Sequence, residues 1–422
     1  MRVQTNNQTV HRVVLDNGIT LLLVENPAAD LIAGRIFLKN AGSRWENAEK
    51  AGLFHLLATV ITKGTEKLSS VEIAEKVESV GANLGADASS DYFVMSLKTV
   101  SADFAQMLRL IAEIMRTPTF PAMEVELEKN LTRQNIRSQQ EQPFNVAFKQ
   151  LREAMYQDHP YGYSILGTEE TVVQLTREDL QQYHQTFFRP DNFVISLSGR
   201  LTLEEGVSLI KEVFGHWQVP GVDLPSPQLL SLTHNPCQKI TYQDTQQSII
   251  MLGYTAASVK DPDYPVLKLM STYLGNGLSS RLFVELREKR GLAYDVSSFY
   301  PTRLETSQFV IYMGTAPYNT AIGIEGLRTE AERLYQTELT PEELQAAKNK
   351  LLGQYALGKQ TNSEIAHLYG WYETLGLGIT FDTSFQEQIE TVTPEMVQEA
   401  ARKSLMNPYL SLVGPASGIE ES

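Results

Sequence analysis

One cysteine, Cys237, stands in 422 residues. That excludes an intramolecular disulfide and any multi-cysteine zinc or iron–sulfur site, and leaves the thiol as a small hydrophobe or an incidental group. Long apolar runs are missing too, since no stretch approaches the ~20 consecutive apolar residues that span a bilayer. The first residues, MRVQTNNQTVHRVVLDNG, carry neither an apolar run nor a small-residue cleavage site, so a secretory signal is not expected. Positive charge is in short supply: 36 Lys and Arg against 50 Asp and Glu leave a net charge of −14. That balance opposes a phosphate backbone and an anionic membrane surface, so neither nucleic acid nor membrane is expected as a partner. The expectation is a soluble protein of the cytoplasm or of an organelle interior.

What the chain does have is internal repetition. TPTFPAMEVELEKNLTRQNIRSQQEQP at 117–143 and TELTPEELQAAKNKLLGQYALGKQTN at 337–362 share a proline turn, an acidic first helical turn and a long helix with lysine placed alike. LTREDLQQYHQTFFRPDNFVISLSG at 175–199 is echoed by VTPEMVQEAARKSLMNPYLSLVGP at 392–415. In both, a threonine (Thr176 or Thr393) is placed to cap a helix, and a glycine (Gly199 or Gly414) closes a strand. Between the copies, the proline-rich, nearly uncharged segment at 219–237 reads as an extended linker. The division is therefore an N-terminal half at 1–218, a linker at 219–237 and a C-terminal half at 238–422.

Within the first half, period-two patterns predict a hairpin over 11–26 about Asp16-Asn17-Gly18, and strands over 31–43 and 91–100. Helical spacing predicts helices around 50–63, 70–80, 101–116, 121–156 and 177–187. Strands and helices that do not alternate one for one favour an α+β fold. The expected architecture is two homologous α/β-roll halves, each an antiparallel-rich sheet with helices packed on one face, together enclosing part of a chamber.

The window at 52–96 carries a chemical signature. It contains Gly52, then His55, then Lys63-Gly64-Thr65, and it resembles the pitrilysin/insulinase family of zinc metallopeptidases, which includes mitochondrial processing peptidase. Further matches are DHPYGYSILGTEETVVQLTREDLQQYHQTFFRPDNFVISLSG at 158–199 and LGNGLSSRLFVELREKRGLAYDVSS at 274–298. In that family two histidines four apart bind zinc, and the Glu before the second takes a proton from metal-bound water. Here the motif reads His55-Leu56-Leu57-Ala58-Thr59. Ala58 has no base, Thr59 is a poor zinc ligand, and the Glu-Ile pair that carries the third ligand is replaced by Asn135-Ile136. A catalytic zinc needs three protein ligands and water, so no metal site is assigned to this chain and zinc is expected in a partner subunit. His55 then reads as a packing residue of an all-round apolar helix. Substitute ligands from Asp87, Asp91 and His159 gain no support from spacing.

The resemblance assigns a second pair. Arg287 and Tyr294, seven apart in REKRGLAY, match the Arg and Tyr that such proteases supply from the C-terminal half or from a companion subunit. An arginine and a phenol can hold a substrate carbonyl and stabilise the oxyanion formed when it is attacked. The helix carrying Arg287 is expected to start after Ser279-Ser280 and stop at Gly291, with Tyr294 opening the next strand. The segment at 81–93 resembles the family's edge strand for substrate backbone, on which Gly85 and Ala86 would let a peptide add as an extra strand. LGNGLSS lacks the βαβ context and Lys-Ser/Thr ending of a phosphate loop.

The reading is a non-zinc-binding subunit of a heterodimeric metallopeptidase, inactive alone, hydrolysing peptides with a zinc-bearing homologous partner. Two alternatives stand beside it: a non-proteolytic structural or assembly subunit, and a homodimeric peptide-binding protein. The net charge of −14 implies a preference for basic, unfolded peptides.

Overall fold

The computed structural model describes residues 2–5 and 8–419. Among these residues twelve strands form two sheets. β1 (Arg2–Thr5), β2 (Gln8–Val14), β3 (Thr20–Glu25), β4 (Leu31–Leu38), β5 (Asn83–Ala88), β6 (Phe93–Val100) and β7 (Phe193–Gly199) make the first, in the order β1-β2-β3-β7-β4-β6-β5. β8 (Gln238–Tyr242), β9 (Ser248–Ala256), β10 (Ala293–Phe299), β11 (Ser307–Thr315) and β12 (Tyr409–Gly414) make the second, ordered β10-β11-β9-β12-β8. Among the described residues only β3/β7 and β12/β8 pair in parallel; every other pair is antiparallel. The α+β, antiparallel-rich architecture is the expected one.

The predicted elements mostly appear. The β2–β3 turn closes as Gly18 N–H donates to Leu15 O at 2.9 Å, with Gly18 in the left-handed region at φ +86°. Helices α1 (Leu53–Val60), α2 (Ser70–Glu78) and α3 (Phe104–Arg116) fall where apolar spacing puts them. The single helix expected over 121–156 is instead two, α4 (Ala122–Glu141) and α5 (Pro143–Tyr156). The reason is local: Pro143 forces its predecessor out of the helical region, and Gln142 sits at φ −94°, ψ 116°.

The chain forms two compact units, and they are not simply its consecutive halves. Unit 1 comprises Met1–Ile136, Tyr163–Leu229 and Ala356–Thr383; unit 2 comprises Arg137–Gly162, Leu230–Tyr355 and Ser384–Ser422. In unit 1, α1 and α3 bury Phe54, Leu57, Phe104 and Ile111 with Ile36 of β4 and Phe93 of β6 in one core. The opposite face of the same sheet is crossed by the Asn362–Thr374 helix, which comes from the C-terminal half. Asn362 anchors it, donating to Leu31 O at 3.2 Å and accepting from Asn26 at 2.8 Å. Arg12 of β2 adds a 2.7 Å ion pair to Glu373.

Unit 2 takes α5 from the N-terminal half in the same manner. Gln150 donates to Ser411 Oγ on β12 at 2.7 Å, and Ser411 Oγ donates to Ala147 O at 2.7 Å. Close crossing requires a missing side chain in each unit. In unit 2 it is Gly253 on the sheet, where a Cβ would lie 2.6 Å from Met155 Sδ. In unit 1 it is Gly370 on the helix, where a Cβ would lie 2.5 Å from the Phe37 ring. Gly370→Val is expected to destabilise unit 1 by about 1–3 kcal/mol, because overpacking a fixed sheet outweighs any gain in helix propensity. An unchanged urea midpoint would show that the helix is not held this tightly.

The sequence repeat is visible as repeated bonds. Lys129 Nζ of α4 donates to Leu175 O at 3.0 Å, and Lys348 Nζ of the Pro341–Leu357 helix donates to Glu390 O at 2.7 Å. Thr176 and Thr393 then accept from the N–H groups of Asp179 and Met396, at 3.1 and 3.3 Å. The stretch from Gln218 to Cys237 has no regular element; Arg189, bound to Asp191, ties its start by donating to Pro220 O and Val222 O. Among the described residues no helix is long and apolar enough to cross a membrane.

Candidate functional site

Two places repay close description, one in each unit. In unit 1 the motif helix α1 starts at Gly52, left-handed at φ +95°. No side chain fits there, since a Cβ would lie 2.6 Å from Leu166 O. The buried Glu46 carboxylate caps this end, accepting from Gly52 N–H at 2.9 Å and Phe54 N–H at 2.7 Å. Burial dominates over these bonds and pushes the Glu46 carboxyl up to about 7.

His55 is half-buried on α1, and burial lowers its imidazole below the ordinary histidine range although Asp87 and Glu128 pull the other way. Three positions would have to supply the base and the two further zinc ligands, and none does. Ala58 is buried and offers no donor atom. Thr59 spends its hydroxyl on Leu56 O at 3.0 Å. Asn135 on α4 is exposed. Glu128, about two turns earlier on α4, is held by Lys63 at 3.0 Å. These residues do not fit a catalytic zinc, and among the described residues no group of three His, Cys, Asp or Glu is placed to hold a metal. Of the substitutes, Asp91 pairs with Arg44 at 3.6 Å. Asp87 is exposed on β5, and His159 belongs to unit 2, where its Nδ1 accepts from Tyr161 N–H at 3.1 Å.

Beside α1, β5 is the terminal strand of its sheet. Gly85 and Ala86 lie on it, paired with Ser96 and Met95 of β6. A Cβ on Gly85 would meet nothing within 4 Å. The strand therefore offers one unpaired backbone edge and little side-chain obstruction.

In unit 2, Arg287 and Tyr294 flank a sharp reversal. Phe283–Lys289 winds as a π-helix, a form that occurs in short pieces and often at functional sites. Gly291, left-handed at φ +62°, ends it: its N–H donates to Arg287 O at 3.1 Å, and Leu292 N–H to Leu286 O at 2.9 Å. Arg287 is exposed, with its guanidinium carbon 4.9 Å from the Phe283 ring centroid. That contact favours one side-chain orientation by ~0.5–1 kcal/mol. Tyr294 is on β10, the terminal strand of the second sheet, and is 60% exposed.

The ladder slips there: Ala293 pairs with Thr315 and Asp295 with Gly314, so Tyr294 is the extra residue of a bulge. A bulge turns its side chain out of the regular alternation. Tyr312 OH on β11 donates to Asp295 Oδ2 at 3.1 Å and ties the residue after it. No hydrogen bond joins the Arg287 and Tyr294 side chains among the described residues. Both are left open on the same short helix-to-strand connection. The bulge and the π-winding were not visible in the sequence, where only the seven-residue spacing could be read.

Comparisons with known proteins bear on both places. The fold is that of M16-like peptidases: a protease from Helicobacter pylori superposes with a TM-score of 0.90 at 23% identity, covering 96% of this chain and 99% of that one. A peptidase M16 inactive domain from Pseudomonas fluorescens superposes with a TM-score of 0.88 at 25% identity, covering 96% and 98%. Residues 22–169 match the Insulinase (Peptidase family M16) model, and residues 174–351 match the Peptidase M16 inactive domain. An uncharacterized zinc protease of Bacillus subtilis is 28% identical over 415 residues, covering 97% of this chain and 99% of the relative. One of Mycobacterium leprae is 27% identical over 416 residues, covering 96% and 92%. The chain belongs to peptidase family M16, the pitrilysin/insulinase family.

Proposed function

We propose that this chain is the non-zinc subunit of a two-subunit peptidase of family M16. Its part is to place Arg287 and Tyr294 against the active site of a zinc-bearing homologous partner. The carrying observation is an asymmetry: Ala58, Thr59 and Asn135 replace a base and two ligands in unit 1, while Arg287 and Tyr294 remain and stand exposed in unit 2. The match of residues 174–351 to an inactive domain supports the same division of labour.

The chemistry required of this chain is modest. The planar guanidinium fork of Arg287 can hold a peptide carbonyl from two directions. The Tyr294 hydroxyl donates to the same oxygen as negative charge develops on it. Donors aimed at the developing oxyanion are worth more than donors that only bind substrate. On the unit 1 side, the open edge of β5 at Gly85 and Ala86 supports peptide binding by strand addition.

The test is reconstitution. The chain is purified alone and with a zinc-bearing homologue from the same organism, and metal content and cleavage of unfolded peptides are measured. The expected result is cleavage by the mixture, with zinc following the partner. Cleavage and stoichiometric zinc in this chain alone would overturn the reading, as would a stable assembly that contains no peptidase partner and cleaves nothing.

A further inference from the structure

Unit 2 contains a cleft of about 250 Å³ that neither Arg287 nor Tyr294 lines. Its walls include Tyr273 of the Tyr264–Gly275 helix, Ser279, Arg281, and Arg333, Glu343 and Lys350 from the two helices that follow β11. The back is a fixed polar chain. Tyr273 OH donates to Glu343 Oε1 at 2.8 Å, Arg281 Nη1 donates to the Tyr273 oxygen at 3.2 Å, and Arg281 Nε donates to Glu330 Oε2 at 2.7 Å.

That chain leaves one position open. The Arg281 side chain is 8% exposed, yet its Nη2 has no hydrogen-bond acceptor. Buried donors are paired in the great majority of cases, and an open one on a guanidinium held at its other nitrogens calls for an acceptor. At the mouth, Lys350 Nζ stands 3.4 Å from Ser279 Oγ. It lies over Gly277, which is left-handed at φ +77°.

We propose that this cleft binds a small molecule bearing a single carboxylate, taken between Arg281, the Ser279 hydroxyl and the Lys350 ammonium. Charge decides the class. Among the residues that line the cleft, Arg281, Arg333 and Lys350 outnumber Glu285 and Glu343 by one, so the lining carries one formal positive charge. One carboxylate oxygen would accept from the open Arg281 Nη2 and the other from the Ser279 hydroxyl and the Lys350 ammonium. A doubly charged phosphate would exceed that single charge and meet repulsion from Glu285 and Glu343. Lys350 is also held below the ordinary lysine range by burial that no anion offsets. A bound carboxylate would reverse that shift.

The experiment uses the full chain in buffers matched for sodium chloride and titrates acetate and, separately, inorganic phosphate, read by calorimetry and by thermal midpoint. The expected result is saturable acetate binding that raises the midpoint. Lys350→Met and Ser279→Ala should keep the ligand-free midpoint, and Lys350→Met should weaken acetate binding about tenfold. Arg281→Lys should lose binding, and because Arg281 is buried, circular dichroism accompanies it; Lys350→Met keeps the test decisive if that variant does not fold. Absence of saturable acetate binding, equal affinity in Lys350→Met, or tighter binding of phosphate than of acetate would each overturn the assignment.

Discussion

Replacing Arg287 with Ala, or Tyr294 with Phe, is expected to lower kcat of the proposed reconstituted complex about 10²–10³-fold while leaving the chain's thermal midpoint unchanged. The magnitude is that of removing one donor from a developing oxyanion. The unchanged midpoint follows from placement: Arg287 is exposed and Tyr294 is 60% exposed on an edge strand. Arg287→Lys should recover only part of the loss, since an ammonium keeps the charge but not the planar fork. A matched change at Arg281 supplies the contrast. That arginine is buried against Glu330 at 2.7 Å, so its removal should appear first as lost stability. Steady-state kinetics separates the outcomes. A rise in KM with kcat intact would mean that the pair only binds substrate. Full activity in both variants would end the proposed role in trans.

How far the sequence could lead is seen in those two residues. Their types and spacing were legible, as were the helix stop at Gly291 and the loss of the base and two ligands at Ala58, Thr59 and Asn135, because each is a local pattern. Their presentation was not. The π-winding of Phe283–Lys289 and the slipped register at Tyr294 depend on how β10 meets β11, which no window of sequence contains. The same limit applies to the fold. The repeat was legible through caps and lysines that recur, and Lys129 and Lys348 do make equivalent bonds. The exchange of α5 and the Asn362–Thr374 helix was not, since helical periodicity identifies an apolar face without saying which sheet receives it. Gly370 and Gly253 mark the two crossings, yet in the sequence they are glycines without a turn. Arg281 carries no local signal of its own: inside GLSSRLF it looks like a solvated helix residue, and only its burial against Tyr273 and Glu330 sets it apart.

Unit 1 carries two buried groups whose pH dependences oppose each other, and separating them should expose a large hidden slope. Glu46 titrates near 7 in the fold against an ordinary value of 4.5, because burial disfavours its charge. The fold then binds its proton more tightly than the unfolded chain does. Its contribution is fully present below about pH 4.5 and is lost as pH rises through 7. His184, buried with Nε2 donating to Met115 O at 2.8 Å, titrates near 4 against 6.5. Burial keeps it neutral, so its contribution is present above about pH 6.5 and is lost as pH falls through 4. At ~1.4 kcal/mol per unit each amounts to about 3 kcal/mol, and across pH 4.5–6.5 they offset each other. Glu46→Gln removes the first, with one backbone bond at the start of α1 given up to the amide. Relative to the parent, that variant should gain about 3 kcal/mol between pH 4.5 and pH 8. His184→Asn should lose its deficit relative to the parent as pH falls from 6.5 to 4. Urea unfolding at half-unit steps of pH measures both differences, and taking each variant against the parent cancels the groups they share. A pH-independent difference for Glu46→Gln would mean that the carboxylate is ionised throughout, with the N–H groups of Gly52 and Phe54 compensating its burial in full.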